Sequence, residues 1–596
     1  MDFRFAIQRF EARTLPALLA ATAARVPDRV FLRFHAPGSA GTPPRCVTFG
    51  ELRALVARGA AWLEGAGVGP GDRVLLLAEN SPEWQALALA AQLLRAEPVA
   101  LFASLSAPQA EDAARRVRPR AAFVSGPAQW AKLAPCAADL ARDGLAAVVA
   151  AAPLPSGALP AGVAFAALEG AIGPGAGGLP VPELEARAAR VGPEDPFLLL
   201  FTSGTTGRQK GVRLPQRAIV HAIDGGLSTT GVTEGDVGLH LLPFGHVAGH
   251  DQFAFALAQG HALEMIAGRD ELPAALAAGP TYVFSVPLVY ERIRAQALEK
   301  VERLPGPLRA LVRRALEAGA RVRVEGSRRL LDLLLARVAG ALVGAKVRRA
   351  LGGRVRGLFA GGAPASDALF RFFEGLGIPL VELYGMSETA GFLSANLLEG
   401  PRRPGSAGRI TPDLEVRFED DGELLVRGPL LLQGYLEAAD GAGAFTEDGF
   451  YRTGDRGRID AEGFLRLSGR KKHLLVLSTG KKVAPEPVET AIASALPFQG
   501  AVLLGEGRPF VAAAVFVARE ELARLAALGK DAAAELLPVA RAALAGFSEY
   551  EKPKRLLVIP GTPQDHPALL TPTLKLRREA LLAFLGPSVG EVFATA

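Results

Sequence analysis

Thiols are nearly absent from this 596-residue chain, which carries only Cys46 and Cys136. Two cysteines exclude a disulfide framework, and neither has a metal-ligand neighbour in sequence. A reducing cytoplasm is therefore the expected compartment. Uninterrupted apolar stretches long enough to cross a bilayer are missing as well. The opening Met1-Asp2-Phe3-Arg4 has no basic segment leading into an apolar one, so no signal peptide is expected. Histidine is scarce, at eight residues. His246 and His250 are four apart, but Val247, Ala248 and Gly249 stand between them, without the glutamate a zinc protease requires, so no zinc pair is expected. No repeat with a solenoid period occurs.

What is present is a globular composition, 49% hydrophobic and 21% charged, in a chain too long for one core. The net charge of +6 is unevenly placed. Residues 292–356 carry 17 Lys and Arg against 5 Asp and Glu. A block of this kind attracts nucleotide or coenzyme phosphates, or an anionic membrane surface. No nucleic-acid partner is expected, and peripheral contact with the inner face of a membrane stays open.

The apolar pattern predicts a helix running into a strand over 14–35. Short apolar strands such as Val74–Leu77 and Ala122–Val124 then alternate with helix-length segments. That alternation argues for α/β layers with largely parallel sheets. Residues 171–180 read as a Gly/Pro-rich surface loop, and 296–350 as basic helices. From 414 to 426 the period tightens toward two, as in a smaller β-rich unit. The stretch 468–472 reads as a charged linker ahead of a last α/β segment.

The strongest chemical signal runs from Leu198 to Gly211, where an apolar strand delivers Thr202-Ser203-Gly204-Thr205-Thr206-Gly207-Arg208-Gln209-Lys210. Glycines let backbone N–H groups curl around an anion, hydroxyls add neutral donors, and Lys210 adds a point charge. Gly204 and Gly207 are only three apart, which excludes the nucleotide-binding Gly-x-x-x-x-Gly-Lys-Ser/Thr pattern. Tyr384-Gly385-Met386-Ser387-Glu388 follows another apolar strand and offers an aromatic face with a hard oxygen ligand. Asp455, on a Gly-Asp turn, is an acceptor for paired hydroxyls. Lys575 is a flexible ammonium in an apolar and hydroxylic segment.

These strings, with Leu242-Pro243-Phe244-Gly245-His246, Gly361-Gly362-Ala363-Pro364, Gly469-Arg470-Lys471-Lys472 and Leu570-Thr571-Pro572-Thr573-Leu574-Lys575, occur in the order found in the adenylate-forming (AMP-binding) superfamily. The chain resembles its long-chain and bubblegum-type fatty acyl-CoA synthetases over nearly its whole length. The resemblance implies a large N-terminal domain of layered sheets with flanking helices and a β-rich subdomain (1–468), plus a small mobile α+β lid (469–596). It implies activation of a fatty acid as acyl-AMP, with transfer to coenzyme A.

It assigns ATP or AMP contacts to Thr202, Ser203, Gly204, Thr205, Thr206, Gly207, Lys210, Gly362, Ala363, Pro364, Glu382, Tyr384, Gly385, Asp455 and Arg470. Magnesium falls to Glu388, a nucleotide or acyl carbonyl contact to Ser387, the reacting carboxylate's surroundings to His246, adenylation to Lys575 and the domain hinge to Lys472. Mg²⁺ is the implied cofactor, with ATP and coenzyme A as cosubstrates. Gln209 departs from the proline of many relatives. Gly249 and His250 stand where long-chain enzymes carry an acidic and then a basic residue, which touches the acyl entrance. An aryl-CoA ligase and an enzyme loading a carrier protein remain open alternatives, although no phosphopantetheine string follows Lys575.

Overall fold

In the computed structural model, residues 10–39, 41–202, 209–571 and 575–594 are described. Two large sheets dominate. A nine-stranded sheet runs in the order Arg409–Ile410, Ser394–Ala395, Leu380–Tyr384, Gly357–Ala360, Tyr282–Ser285, Val237–His240, Ala262–Ile266, Val30–His35, Arg45–Thr48. Its six inner strands are parallel and its edges antiparallel. An eight-stranded sheet has the order Gly434–Tyr435, Lys210–Pro215, Pro196–Thr202, Glu97–Leu101, Arg73–Leu77, Ala121–Val124, Ala147–Ala150, Ala164–Ala167. Apart from Arg73 and Glu97 at the starts of two of them, its inner strands are apolar because both faces are covered.

Helices Leu15–Arg25, Pro82–Leu93, Gln216–Thr230 and Val247–Gln259 share one core with both sheets. All twelve residues of Pro82–Leu93 are buried, which explains why this helix has no polar face. Its start is set locally by the Ser81 hydroxyl, which accepts the Trp84 N–H, and by proline in the first turn. Phe49–Gly65 begins at a capping box in which Thr48 accepts the Glu51 N–H at 3.1 Å and Glu51 accepts the Thr48 N–H at 2.7 Å.

A four-stranded antiparallel sheet follows, in the order Glu415–Phe418, Glu423–Arg427, Tyr451–Ile459, Leu465–Arg470. The smaller C-terminal domain has its own apolar core around the strands Phe498–Leu504, Ala512–Val517 and Leu556–Pro560. The helix-then-strand start, the parallel layers, the basic helices and the β-rich unit thus all appear as expected.

Three expectations need correction. Asp455 is not on a turn but inside the strand Tyr451–Ile459, paired opposite Arg470, because Gly454 imitates a turn signal there. Ser468, Gly469 and Arg470 are not linker; they finish a strand, with Asp455 opposite Arg470 and Arg456 opposite Gly469. Glycine and charge mask the strand there. The Gly/Pro stretch 171–180 is loop only from 173, because Ala171 and Ile172 end the helix Leu168–Ile172 and are buried, with Arg58 donating to the Ile172 carbonyl at 2.6 Å. No described helix is long and apolar enough to cross a membrane.

Candidate active site

Three neighbouring parallel strands, Tyr282–Ser285, Gly357–Ala360 and Leu380–Tyr384, end at one edge of the nine-stranded sheet. The carboxyl ends of parallel strands are where open α/β sheets bind ligands. Those ends deliver Val286, Gly362, Ala363, Pro364, Tyr384 and Gly385 to the wall of one cleft of about 2500 Å³. Gly362 has φ +79°, and a Cβ on Gly385 would lie 2.1 Å from the Gly391 carbonyl oxygen, so glycine is required at both. Glu382 lines the same wall; it accepts the Ala365 N–H at 3.1 Å, and burial pushes its pKa up to about 8.

The four-stranded sheet adds a second wall. Asp455 and Arg470 face each other across an antiparallel pair, so their side chains meet, with Arg470 Nε 3.0 Å from Asp455 Oδ1. The Tyr384 hydroxyl donates to the other carboxylate oxygen at 2.6 Å. The Asp455 carboxylate in turn raises the pKa of Arg470.

Glu388 sits in the short turn Ser387–Thr389, directly after the first wall. Its backbone carbonyl accepts the Leu432 N–H at 2.9 Å, which ties this turn to the segment entering Gly434–Tyr435. The Tyr435 hydroxyl donates to the Glu388 carboxylate at 3.2 Å and lies 3.0 Å from the Tyr451 hydroxyl. Burial raises the Glu388 pKa, opposed by its own backbone N–H, Arg470, Tyr435 and Lys210. Gly434–Tyr435 pairs with Lys210–Pro215, so the flank of the glycine-rich loop stands beside Glu388. Lys210 lies 5.2 Å over the Tyr435 ring and donates to the Asp440 carbonyl at 3.0 Å. Thr202 is opposite Lys210 in the ladder. Ser203, Gly204, Thr205, Thr206 and Gly207 lie outside the described residues, and Gln209 lines the cleft.

The C-terminal domain closes the cleft. Lys575 lines it, and its N–H donates to the Thr571 hydroxyl at 3.0 Å. Lys575 is exposed within the cleft, while surrounding protein and the Arg470 charge lower its pKa to about 8 against the pull of Asp455. Burial, and after it the Lys575 charge, lower the pKa of His246 to about 4. His246 is therefore neutral near pH 7; its Nδ1 accepts the Ala248 N–H at 3.2 Å and caps Val247–Gln259. His250 turns inward, donating from Nε2 to the Phe244 carbonyl at 2.7 Å. Gly249 leaves no room for an acidic side chain, since a Cβ would lie 2.6 Å from the Pro243 carbonyl oxygen.

Lys472 is exposed on the turn Lys471–His473, just beyond the Arg470 strand. The two domains are fastened by a buried clasp that sequence reasoning missed. Arg294 donates to the Ser494 carbonyl, the Ser494 hydroxyl donates to Glu291 at 3.0 Å, and so does that of Ser366 at 2.6 Å. Tyr435 was missed too: an aromatic in a two-residue strand has no pattern to betray it.

A parallel-sheet domain whose strand ends face a small C-terminal domain carrying a lysine is the layout of an adenylate-forming enzyme. The AMP-binding enzyme family model matches residues 19–436, and the AMP-binding enzyme C-terminal domain model matches 472–595. The chain belongs to the AMP-binding enzyme family. It is 30% identical over 564 residues to the long-chain-fatty-acid–CoA ligase FadD15 of Mycobacterium bovis, covering 90% of each chain. It is 32% identical over 342 residues to the human (Homo sapiens) long-chain-fatty-acid–CoA ligase ACSBG1, covering 54% of this chain and 46% of that one. The solved adenylation domain of a Mycobacterium chelonae carboxylate reductase shares its fold at TM-score 0.73 and 21% identity, over 98% of this chain and 91% of that one.

Proposed function

We propose that the protein is an ATP-dependent fatty acid–CoA ligase that forms an acyl-adenylate and then a thioester. One observation carries the reading: Lys575 enters the cleft whose walls hold Tyr384, Asp455 and Arg470. In this reading residues 1–468 bind ATP and the acid, and 469–596 act as the lid.

The Tyr384 ring stacks on adenine beside Gly362, Ala363, Pro364, Glu382 and Gly385. Asp455 accepts the ribose hydroxyls, and Arg470 fixes that carboxylate while reaching the same sugar. Thr202 and the loop Ser203–Gly207, with Lys210, cradle the phosphates. Glu388 fits a hard cation: its carboxylate is half-buried, and the hydroxyl of Tyr435 is its one side-chain hydrogen-bond partner among the described residues. Mg²⁺ held there would supply positive charge to the phosphate oxygens. Ser387 meets the nucleotide or the acyl carbonyl.

The substrate carboxylate is already a nucleophile, so no general base is required. Lys575 bridges it to the α-phosphate and neutralises the charge building between them as pyrophosphate departs. His246, being uncharged, flanks the carboxylate without competing for it. The lid then turns about Lys472 and withdraws Lys575. The coenzyme A thiolate attacks the acyl carbonyl, and AMP leaves.

The test is acid-dependent pyrophosphate release, and thioester formation, across C4 to C18 fatty acids and aromatic acids. Preference for long fatty acids is expected. Preference for aromatic acids, or transfer only to a carrier protein, would replace this reading by one of the two alternatives.

A further inference from the structure

We infer that the helical hairpin 306–350 is a docking face for an anionic lipid bilayer. It consists of Gly306–Arg323 packed against Leu330–Ala339, which continues through the π-turn Gly340–Gly344 into Ala345–Ala350. Each helix has a buried side, carrying Val312, Ala315 and Ala318 on the first and Ala336 and Ala339 on the second. The opposite side is not uniformly polar, as a solvated face would be, but mixes exposed leucines with basic side chains. Seventeen large apolar side chains are exposed among the described residues, and seven of them fall within 308–342. Leu330, Leu331 and Leu334 are 73%, 60% and 50% exposed and share one helix face. Leu308 and Leu311 stand out from the partner helix. Such clustering marks an interaction surface rather than scattered surface leucines.

Charge selects the occupant. Every acidic side chain of the block 292–356 lies against an arginine: Glu299 with Arg303, Glu302 with Arg313, Glu317 and Asp332 with Arg321, and Glu325 with Arg371. Arg314, Arg328, Arg329, Arg337, Lys346 and Arg349 are exposed and in no ion pair among the described residues. A second copy of the chain would set this positive surface against itself. A free phosphate would leave the leucines in water. An anionic bilayer satisfies both at once, with leucines in the acyl boundary and arginines at the headgroups. The hairpin packs on Pro287–Glu302, whose first turns line the cleft. Docking therefore places the cleft beside the phase in which long fatty acids partition; this last point rests on the proposed function, whereas the docking does not.

The experiment is sedimentation of the full chain with vesicles, either of phosphatidylcholine alone or of equal parts phosphatidylcholine and phosphatidylglycerol. Binding to the mixed vesicles, weakening with salt, is expected. Leu330→Asp with Leu334→Asp should lower that binding about tenfold or more. Arg328→Glu with Arg329→Glu, a change in a loop, should lower it comparably and guards against misfolding of the leucine variant. Acid-dependent pyrophosphate release from a soluble short acid should stay unchanged in both. Equal binding by wild type and both variants would overturn the proposal. So would leucine variants that change only the oligomeric mass in light scattering, which would assign the face to a second copy. Vesicle binding without turnover of any fatty acid would sink the functional reading and leave the docking face standing.

Discussion

Asp455 is held from two sides, by Arg470 across its own ladder and by the Tyr384 hydroxyl from another sheet. Lys575, in the same cleft, makes no ion pair among the described residues and is fastened to Thr571 through its backbone. In the proposed function the sugar-binding corner would be fixed before any ligand arrives, whereas the reacting cation would be left to be positioned by closure of the lid. Preorganised groups lower the cost of binding. A group that must later withdraw is better held loosely. The clasp of Glu291, Arg294 and Ser494 supplies the missing restraint, at a distance from the chemistry.

The sharpest way to break this contrast is Lys575→Ala. Loss of one transition-state donor should slow acid-dependent pyrophosphate release by about 10²–10³. Thioester formation from supplied acyl-AMP should be spared, and equal damage to both steps would contradict a lysine used only in the first. Asp455→Ala strands the Arg470 guanidinium and the Tyr384 hydroxyl. Truncating one partner of such a pair costs about 2–5 kcal/mol, and since Arg470 is partly exposed the lower end applies. The KM for ATP in adenylation should rise roughly 10- to 100-fold, and the KM for supplied acyl-AMP in thioester formation by a similar factor, because in the proposed function the corner serves both.

Glu291→Ala removes the acceptor of the Ser494 and Ser366 hydroxyls. Loosening the clasp should slow adenylation by about tenfold or less, the worth of a charged hydrogen bond at its lower end. The thioester step should hold or quicken; a fall in both would reduce the clasp to simple fold stability.

The smallest effect concerns pH. Lys575 has its pKa lowered to about 8, so it loses its charge as pH rises through that value, and adenylation should decline there. Lys575→Arg should move the decline upward. The sign for stability is the reverse: between about 8 and the usual lysine value the unfolded chain binds more protons, so the fold gains stability with rising pH in that window. Comparing denaturation of wild type and Lys575→Met across that range checks this.

Sequence reading reached what is local. The strings around Thr202, Tyr384, Asp455 and Lys575 are contiguous, and their order along the chain carries the family resemblance that implies their roles. Alternating apolar runs gave the parallel layers because strands covered on both faces have no other pattern. What it missed is carried by distance along the chain. Tyr384 and Asp455 are 71 residues apart, Glu388 and Tyr435 are 47 apart, and Glu291 and Ser494 are 203 apart. The error at 468–470 has a related cause: Gly469, at φ +115°, and its charged neighbours resemble a connector until the opposite strand supplies their partners.

The path of the chain between the two large sheets has a further consequence. Its first two strands join the nine-stranded sheet, the next seven build most of the other, the seven after those return to the first, and Gly434–Tyr435 crosses back to the second. Neither sheet is a contiguous stretch that can be cut out, exchanged or expressed alone. Recombination within this part of the molecule must move everything between Val30 and Tyr435 together, while the C-terminal segment, with its own core, can be traded as a block.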